Sequence, residues 1–186
     1  MHPVFGYGSL LNRSTLPSDV ALQPATIRGW VRQWRNPYPV ERGRMCFLTV
    51  QRRPNATPPG TVLSDGPPEF DRIVSERESG DLIVPVACRL DQGRTLDANV
   101  FVAPDENLHW ASAEAPICLS YLDCVLQGYL HVYGRAGVEE FLATTEGWYL
   151  PLVDDRDDPV YPRSIALAVD QLSLIDSCLR SRDLVD

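Results

Sequence analysis

The chain opens on the stretch Val4-Phe5-Gly6-Tyr7-Gly8-Ser9-Leu10-Leu11, which predicts a short strand running directly into a glycine-bearing turn. This turn is not a dinucleotide-binding fingerprint, because Leu11 replaces the third glycine and no helical pattern follows. It is not a nucleophile elbow, because that motif needs its serine between two glycines. Small residues let backbone N–H groups approach a ligand closely, so two interpretations stay open: an anion-binding row of amides, or a plain tight turn.

Beyond this turn, strand-like segments come first and helical segments come later. Apolar alternation and β-rich runs predict strands at residues 25–34, 46–50, 60–63, 82–90 and 99–103. Apolar side chains at helical spacing predict helices at residues 69–77, 117–133, 138–144 and 170–182. Gly134 stands where a helix C-cap glycine belongs. This order predicts an α+β fold, with a small mixed β-barrel flanked by helices, rather than a doubly wound fold.

Length and composition limit the classes of protein that the chain can belong to. Its 186 residues are 44% apolar and 23% charged, and we expect a single domain over residues 1–186, with the last helix near 170–182. All 17 basic residues are arginine. Without lysine, the chain has neither Schiff-base chemistry nor a Walker A phosphate contact. The net charge of -8 argues against nucleic acid or an anionic membrane as partner.

The sequence also predicts the compartment and the state of the cysteines. No window holds about 18 consecutive apolar residues. Residues 1–5 lack the basic and apolar regions of a signal peptide, so we expect a cytoplasmic protein. The five cysteines are widely spaced and form no C-x-x-C pair, so buried free thiols are expected rather than disulfides.

Candidate metal ligands do not cluster in the sequence, and no metal site is predicted. The three histidines are scattered and form no zinc-binding motif. The acidic run at residues 154–158 lacks the glycine and the glutamate of a calcium loop and holds Arg156, so we expect an ion-paired surface loop that borders a pocket. Arg28 and Arg32 fall on a predicted strand; either could place a cation near a carboxylate, but strand arginines more often point to solvent, and we expect that orientation for both.

Several segments, in this order along the chain, resemble the γ-glutamylcyclotransferase-like superfamily. The N-terminal Phe5-Gly6-Tyr7-Gly8-Ser9-Leu10 resembles its Y-G-S-[LN] loop, and residues 25–34 resemble its A-x-[LV]-x-G-[YW]-x-R-x-[WF] strand. Glu76-Arg77-Glu78 resembles its D-x-R-E segment. Residues 120–122 resemble a helix start, and residues 145–163 resemble a T-x-G-W…D-D-R-x-x-P-x-Y-P-R ending of a bacterial-type branch. The resemblance covers roughly residues 4–165 and implies the same barrel fold.

The resemblance implies an enzyme that releases 5-oxoproline and an amine or amino acid from a γ-glutamyl amide. In such enzymes the α-amine of the substrate attacks its own γ-carbonyl, with no metal or organic cofactor. The α-amine must first lose a proton, so a carboxylate is needed whose pKa burial has raised towards neutrality. The resemblance assigns this catalytic role to Glu78 and the binding of the γ-glutamyl part to Tyr7, Gly8, Ser9 and Leu10. Glutathione, γ-glutamyl dipeptides, γ-glutamyl-ε-lysine and γ-glutamyl-protected intermediates are all candidate substrates.

Several alternatives stay open at this point. From the residues alone, Glu78 would be a solvated charge at the end of a short helix, and Glu76 and Glu69 are its nearby rivals. The segment 79–81 is Ser-Gly-Asp where the family usually has a tyrosine, which keeps a non-catalytic ligand-binding or regulatory protein on the same fold as a second hypothesis. A hydrolase with Ser9 as nucleophile is a third.

Overall fold

A computed structural model describes residues 2–91, 93–149 and 151–185 of the chain. In chain order, the strands of the described residues are β1 (Val4–Gly6), β2 (Ala21–Ile27), β3 (Trp30–Val40), β4 (Gly43–Arg52), β5 (Pro59–Ser64), β6 (Leu82–Leu90), β7 (Thr95–Val102), β8 (Ile117–Cys118), β9 (Thr145–Glu146) and β10 (Leu152–Val153). The helices are α1 (Pro68–Arg77), α2 (Leu119–Thr144) and α3 (Val169–Arg180).

Five strands close into a small barrel in the order β1-β5-β2-β6-β7. The neighbouring pairs are antiparallel except where β1 meets β7 in parallel orientation, with Val4 opposite Asn99. The predicted α+β fold with a small mixed β-barrel flanked by helices is therefore confirmed. Closing the barrel pairs strand edges that an open sheet would leave exposed.

A long hairpin of β3 and β4 lies in a second sheet, of order β4-β3-β9. Its two strands stay paired out to Val40 opposite Gly43, at the tip of the hairpin. A register shift between Trp34 and Asn36 marks a bulge. Bulges bend a strand and redirect its side chains. The half of the hairpin beyond this bulge forms one wall of the cavity described below.

The prediction of one continuous strand over residues 25–34 is wrong. The chain turns at Arg28-Gly29, where Gly29 has a φ of 86°, a backbone conformation that glycine adopts without steric cost. The residues before this turn belong to β2 of the barrel, and those after it belong to β3 of the second sheet. The end of β2 buries alternate residues, whereas the first five residues of β3 are buried on both faces.

The central helix α2 supplies much of the core. It is interrupted at Gly134, whose φ of 65° and ψ of -163° are not helical, at the position predicted for a C-cap. The helical segments predicted at 117–133 and 138–144 are therefore the two parts of α2. The first part begins two residues later than predicted, because Ile117 and Cys118 pair with β10 instead. All five cysteines are buried and unbonded, as predicted.

Arg32 corrects the expectation that both strand arginines point to solvent. Arg28 is exposed, but Arg32 is completely buried. The Arg32 guanidinium donates hydrogen bonds to the hydroxyls of Tyr129, Thr144 and Thr145 and to the Pro59 carbonyl, at 2.6–3.0 Å. Burial lowers the pKa of Arg32, and the contacts with Tyr129 offset this effect. Arg32 therefore ties β3 to α2 and to the barrel.

The acidic segment at 154–158 forms ion pairs, as predicted, but part of it is buried. The Asp155 carboxylate accepts hydrogen bonds from the N–H and the hydroxyl of Ser120 and so caps the start of α2. Arg156 pairs with Asp123 of α2 at 2.7 Å and with Asp176 of α3 at 2.8 Å. These contacts fix the loop that runs on to the cavity.

None of the helices in the described parts of the chain is long and apolar enough to cross a membrane. The C-terminal helix predicted near 170–182 corresponds to α3. That residues 1–186 form a single domain stays a prediction.

Candidate functional site

A cavity of about 230 Å³ opens where five parts of the chain meet. These parts are the turn after β1, the outer half of the β3–β4 hairpin, the C-terminal end of α1, the start of α2 at Tyr121 and the loop at Pro162 and Arg163. A narrower cleft of about 30 Å³, lined by residues 5–10, adjoins this cavity. Four residues line both spaces, so the two form one continuous site: Ser9, Leu48, Glu78 and Tyr121.

Glu78 lies at the junction of the cavity and the cleft. It follows the last residue of α1, and its N–H donates to the Val74 carbonyl at 3.0 Å. Its side chain is half-buried, and this burial raises the pKa of Glu78 from 4.5 to about 7, while Arg77 and Arg163 lower it and Asp81 raises it further. A carboxyl group with a pKa near neutrality can both accept and return a proton under ordinary conditions.

Glu76 and Glu69, the rivals of Glu78, occupy different positions. Glu76 lines the wider cavity, but its side chain is 61% exposed and pairs with Arg72 at 2.8 Å. Glu69 is exposed in the first turn of α1, at the other end of the helix. Of these three glutamates, only Glu78 lines both the cavity and the cleft.

The backbone of residues 8–10 forms one side of the cleft. A 3₁₀-helix spans Ser9–Leu11, and its first internal hydrogen bond runs from the Leu11 N–H to the Gly8 carbonyl at 3.1 Å. The N–H groups of Ser9 and Leu10 precede that bond, so the helix itself does not use them. A Cβ atom at Gly8 would stand 2.9 Å from the Tyr121 hydroxyl, which explains the need for glycine there.

The side chain of Tyr7 is part of the core rather than of the open cleft. Its ring is buried, and its hydroxyl donates to the Phe101 carbonyl at 2.8 Å. Burial raises the pKa of Tyr7 well above its ordinary value. Tyr7 therefore stays protonated and anchors the cleft to β7, while its backbone lines the cleft.

Ser9 is surrounded by hydrogen-bond donors. Its hydroxyl oxygen accepts from Arg77 Nη2 at 2.9 Å and from the Tyr161 hydroxyl at 3.0 Å. Arg163 Nε in turn donates to the Tyr161 hydroxyl at 3.3 Å. A nucleophilic serine gives its proton to a base, whereas the hydrogen-bond partners of the Ser9 hydroxyl are Arg77 and Tyr161 and not the Glu78 carboxyl group. All three histidines of the chain are exposed and lie outside the residues that line this site. This geometry disfavours the hypothesis of a Ser9 hydrolase.

Asp81 is a site residue that the sequence analysis missed. Its N–H donates to the Glu78 carbonyl at 3.1 Å across a turn in which Gly80 has a φ of 93°. Its carboxylate lines the same cavity as Glu78. Burial raises the pKa of Asp81 from 3.8 to about 6, and a hydrogen bond from the buried Asn36 side chain lowers it. The only sequence signal was its position three residues after Glu78.

The small mixed barrel with flanking helices is a γ-glutamylcyclotransferase-like fold. The chain shares this fold with a solved γ-glutamyl cyclotransferase, at a TM-score of 0.60 and 13% identity over 95% of this chain and 98% of that one. An uncharacterized protein from Homo sapiens gives a TM-score of 0.62 at 14% identity over 94% and 98%. YkqA from Bacillus subtilis gives 0.54 at 15% identity over 78% and 56%.

No protein-family model and no curated protein matches the sequence. At identities of 13–15%, the structural likeness establishes the fold, and the residues of the site have to carry any argument about the reaction.

Proposed function

We propose that the protein is a γ-glutamylcyclotransferase-like enzyme. It releases 5-oxoproline and an amine or amino acid from a small γ-glutamyl amide, such as glutathione or a γ-glutamyl peptide, through attack of the substrate α-amine on its own γ-carbonyl. Glu78 is the general acid and base, and the backbone of Tyr7, Gly8, Ser9 and Leu10 binds the γ-glutamyl part. The observation that carries this proposal is the position of the Glu78 carboxyl group beside that loop, at the junction of cavity and cleft.

The reaction requires two proton transfers, and one carboxyl group can serve both. The α-nitrogen enters as an ammonium and ends as the lactam N–H, so it loses two protons. The leaving nitrogen begins as an amide N–H and ends as an ammonium, so it gains two. The bond from the α-nitrogen to the γ-carbon forms, and the bond from that carbon to the leaving nitrogen breaks. Glu78 accepts each of the two protons from the α-nitrogen as base and returns each to the leaving nitrogen as acid, which a pKa of about 7 favours.

The free N–H groups at the start of the Ser9–Leu11 turn suit the charge that develops in this reaction. The carbonyl oxygen of the γ-glutamyl group becomes an oxyanion when the amine attacks, and backbone N–H donors stabilise such an oxyanion without having to reorganise. The cleft and the adjoining Ser9 end of the wider cavity together hold the γ-glutamyl chain in the folded conformation that ring closure requires.

Release of 5-oxoproline from a panel of γ-glutamyl amides tests the proposal. We expect turnover by the wild type and a loss of kcat of about 100- to 10,000-fold in Glu78→Gln, because glutamine cannot exchange the proton. Glu76→Gln is the matched control, since it removes an exposed, ion-paired glutamate from the same cavity and should keep kcat within about twofold.

Two results would count against the proposal in different ways. If the wild type releases no 5-oxoproline from any member of the panel, the protein is not such an enzyme, and a ligand-binding role on this fold becomes the better hypothesis. If Glu78→Gln retains full activity, the enzyme stands and the assignment of its acid and base is wrong.

A further inference from the structure

Two arginines that line the cavity are held at its Ser9 end. Arg77 donates to the Ser9 hydroxyl at 2.9 Å and to the Thr15 hydroxyl at 3.0 Å. Arg163 lies over the Tyr161 ring, 5.3 Å from its centroid, and donates to the hydroxyl that itself binds Ser9. Positive charge is therefore concentrated beside the loop of residues 7–10, where the proposed function places the γ-glutamyl part and its α-carboxylate.

Asp81 supplies negative charge on the side of the β3–β4 hairpin. The buried Asn36 side chain of β3 lines the same cavity, and its polar contact lowers the pKa of this carboxylate. The aromatic rings of Tyr38 and Phe47, from the same hairpin, also line the cavity. Among the residues that the structure describes, no arginine forms an ion pair with Asp81. A half-buried carboxylate without a cation is costly, because its desolvation is not offset by a nearby opposite charge.

We propose that Asp81, which lines the cavity together with Asn36 and the rings of Tyr38 and Phe47, binds a cationic group on the leaving amine. The preferred substrates are then γ-glutamyl amides whose leaving group carries a second, positively charged nitrogen. This inference rests on the proposed function and assigns a specificity-determining residue to it. An ammonium at this position gives Asp81 the charge partner that the protein itself does not provide, and the aromatic rings add a cation–π attraction.

The position of Glu78 is consistent with a site in two parts, one for the γ-glutamyl group and one for the leaving amine. Glu78 lies where the cleft meets the cavity, so the scissile amide beside it separates the γ-glutamyl part from the leaving group. The leaving group then occupies the wider cavity, on the side of the hairpin where Asp81 lies. The net charge of -8 of the whole chain further favours the approach of a cationic substrate.

The inference is tested by binding in the Glu78→Gln background, where turnover does not interfere. Affinities are measured calorimetrically for γ-glutamyl ω-aminoalkyl amides and for ω-hydroxyalkyl amides of the same chain lengths. We expect the ammonium compound to bind about tenfold more tightly at the best chain length. Adding Asp81→Asn should abolish this preference, whereas adding Glu76→Gln should leave it within about twofold. Thermal unfolding of each variant verifies that it is folded.

The pH dependence gives a second readout that a merely structural role of Asp81 would not produce. The preference for the ammonium compound should fall as the pH is lowered through about 6, where Asp81 becomes protonated. Other titratable or charged groups also face the cavity. They are Glu76 and Arg77 of α1, Tyr38 of β3, Tyr121 of α2 and Arg163 of the loop that precedes α3. Glu78 is replaced by glutamine in this background, and Glu76→Gln controls for the remaining carboxylate that lines the cavity.

The outcomes separate this inference from the proposed function. Equal affinity for the two series, or a preference that survives Asp81→Asn, overturns the inference even if the wild type releases 5-oxoproline. An Asp81-dependent preference without any release by the wild type supports the subsite and overturns the proposed function. Binding of neither series overturns the inference, while release of 5-oxoproline by the wild type alone decides the proposed function.

Discussion

Replacing Glu78 with glutamine should stabilise the folded protein at alkaline pH. The pKa of Glu78 is about 7 in the folded protein and 4.5 when unperturbed, so the folded state binds the proton more tightly than the unfolded state does. The free energy of unfolding therefore decreases as the pH rises from about 4.5 through 7. Glutamine resembles the protonated side chain in shape and carries no charge, so the variant escapes this loss.

The size of the effect follows from the shift in pKa. A rise from 4.5 to about 7 corresponds, at about 1.36 kcal/mol per pKa unit, to an upper limit of roughly 3 kcal/mol. The Glu78 side chain is half-buried, and solvent screens part of the electrostatic penalty. We therefore expect Glu78→Gln to raise the free energy of unfolding by about 1–3 kcal/mol at pH 8, and by less than a third of that amount at pH 5.

Urea unfolding of the wild type and the variant at pH 5 and pH 8 measures this difference. The raised pKa of Asp81 contributes a similar pH dependence to both proteins and largely cancels in the comparison. Glu76→Gln, which alters an exposed and ion-paired glutamate, should change stability by no more than about 0.5 kcal/mol at either pH. A Glu78→Gln protein that is no more stable than the wild type at pH 8 would refute the argument that burial of Glu78 perturbs its ionisation.

Two further substitutions test the supports of the site. Arg32→Met should lower the free energy of unfolding by about 2–4 kcal/mol in chemical denaturation, because the buried oxygens of Pro59, Tyr129 and Thr145 and the exposed hydroxyl of Thr144 each lose a donor. The exposed Arg28→Gln is the control, and an equal effect of both would show that the buried network contributes nothing. Gly80→Ala and Gly29→Ala each place a side chain at a left-handed φ with no neighbouring atom within 4 Å, so each should cost about 1 kcal/mol of stability. Only Gly80→Ala should also lower kcat/KM for 5-oxoproline release, since its turn carries Glu78, and equal kinetics of the two alanine variants would contradict the role of that turn.

Patterns local to the chain were enough to predict most elements of the fold. The apolar periodicity of residues 117–144 and the break at Gly134 are consequences of side-chain spacing along one helix, and α2 has both. The prediction failed at Arg28-Gly29, where an apolar alternation that suits one strand is shared by two strands in different sheets. Periodicity records which face of a segment is buried, but it does not record against which sheet that face packs.

For the candidate site too, local sequence patterns predicted some residues, and packing between distant segments decided the others. The sequence by itself determined Glu78 and the loop of residues 7–10 as candidates. Each lies in a contiguous motif, and these motifs resemble those of the γ-glutamylcyclotransferase-like superfamily in the same order along the chain. Only the tertiary structure decided that Asp81 shares a cavity with Glu78 and that Arg32 is buried, since each depends on partners far away in the chain. Asn36, for example, approaches Asp81 only because the β3–β4 hairpin folds over the end of α1. A side chain's charge and burial are set by neighbours that tertiary packing brings together, and spacing along the chain carries no record of them.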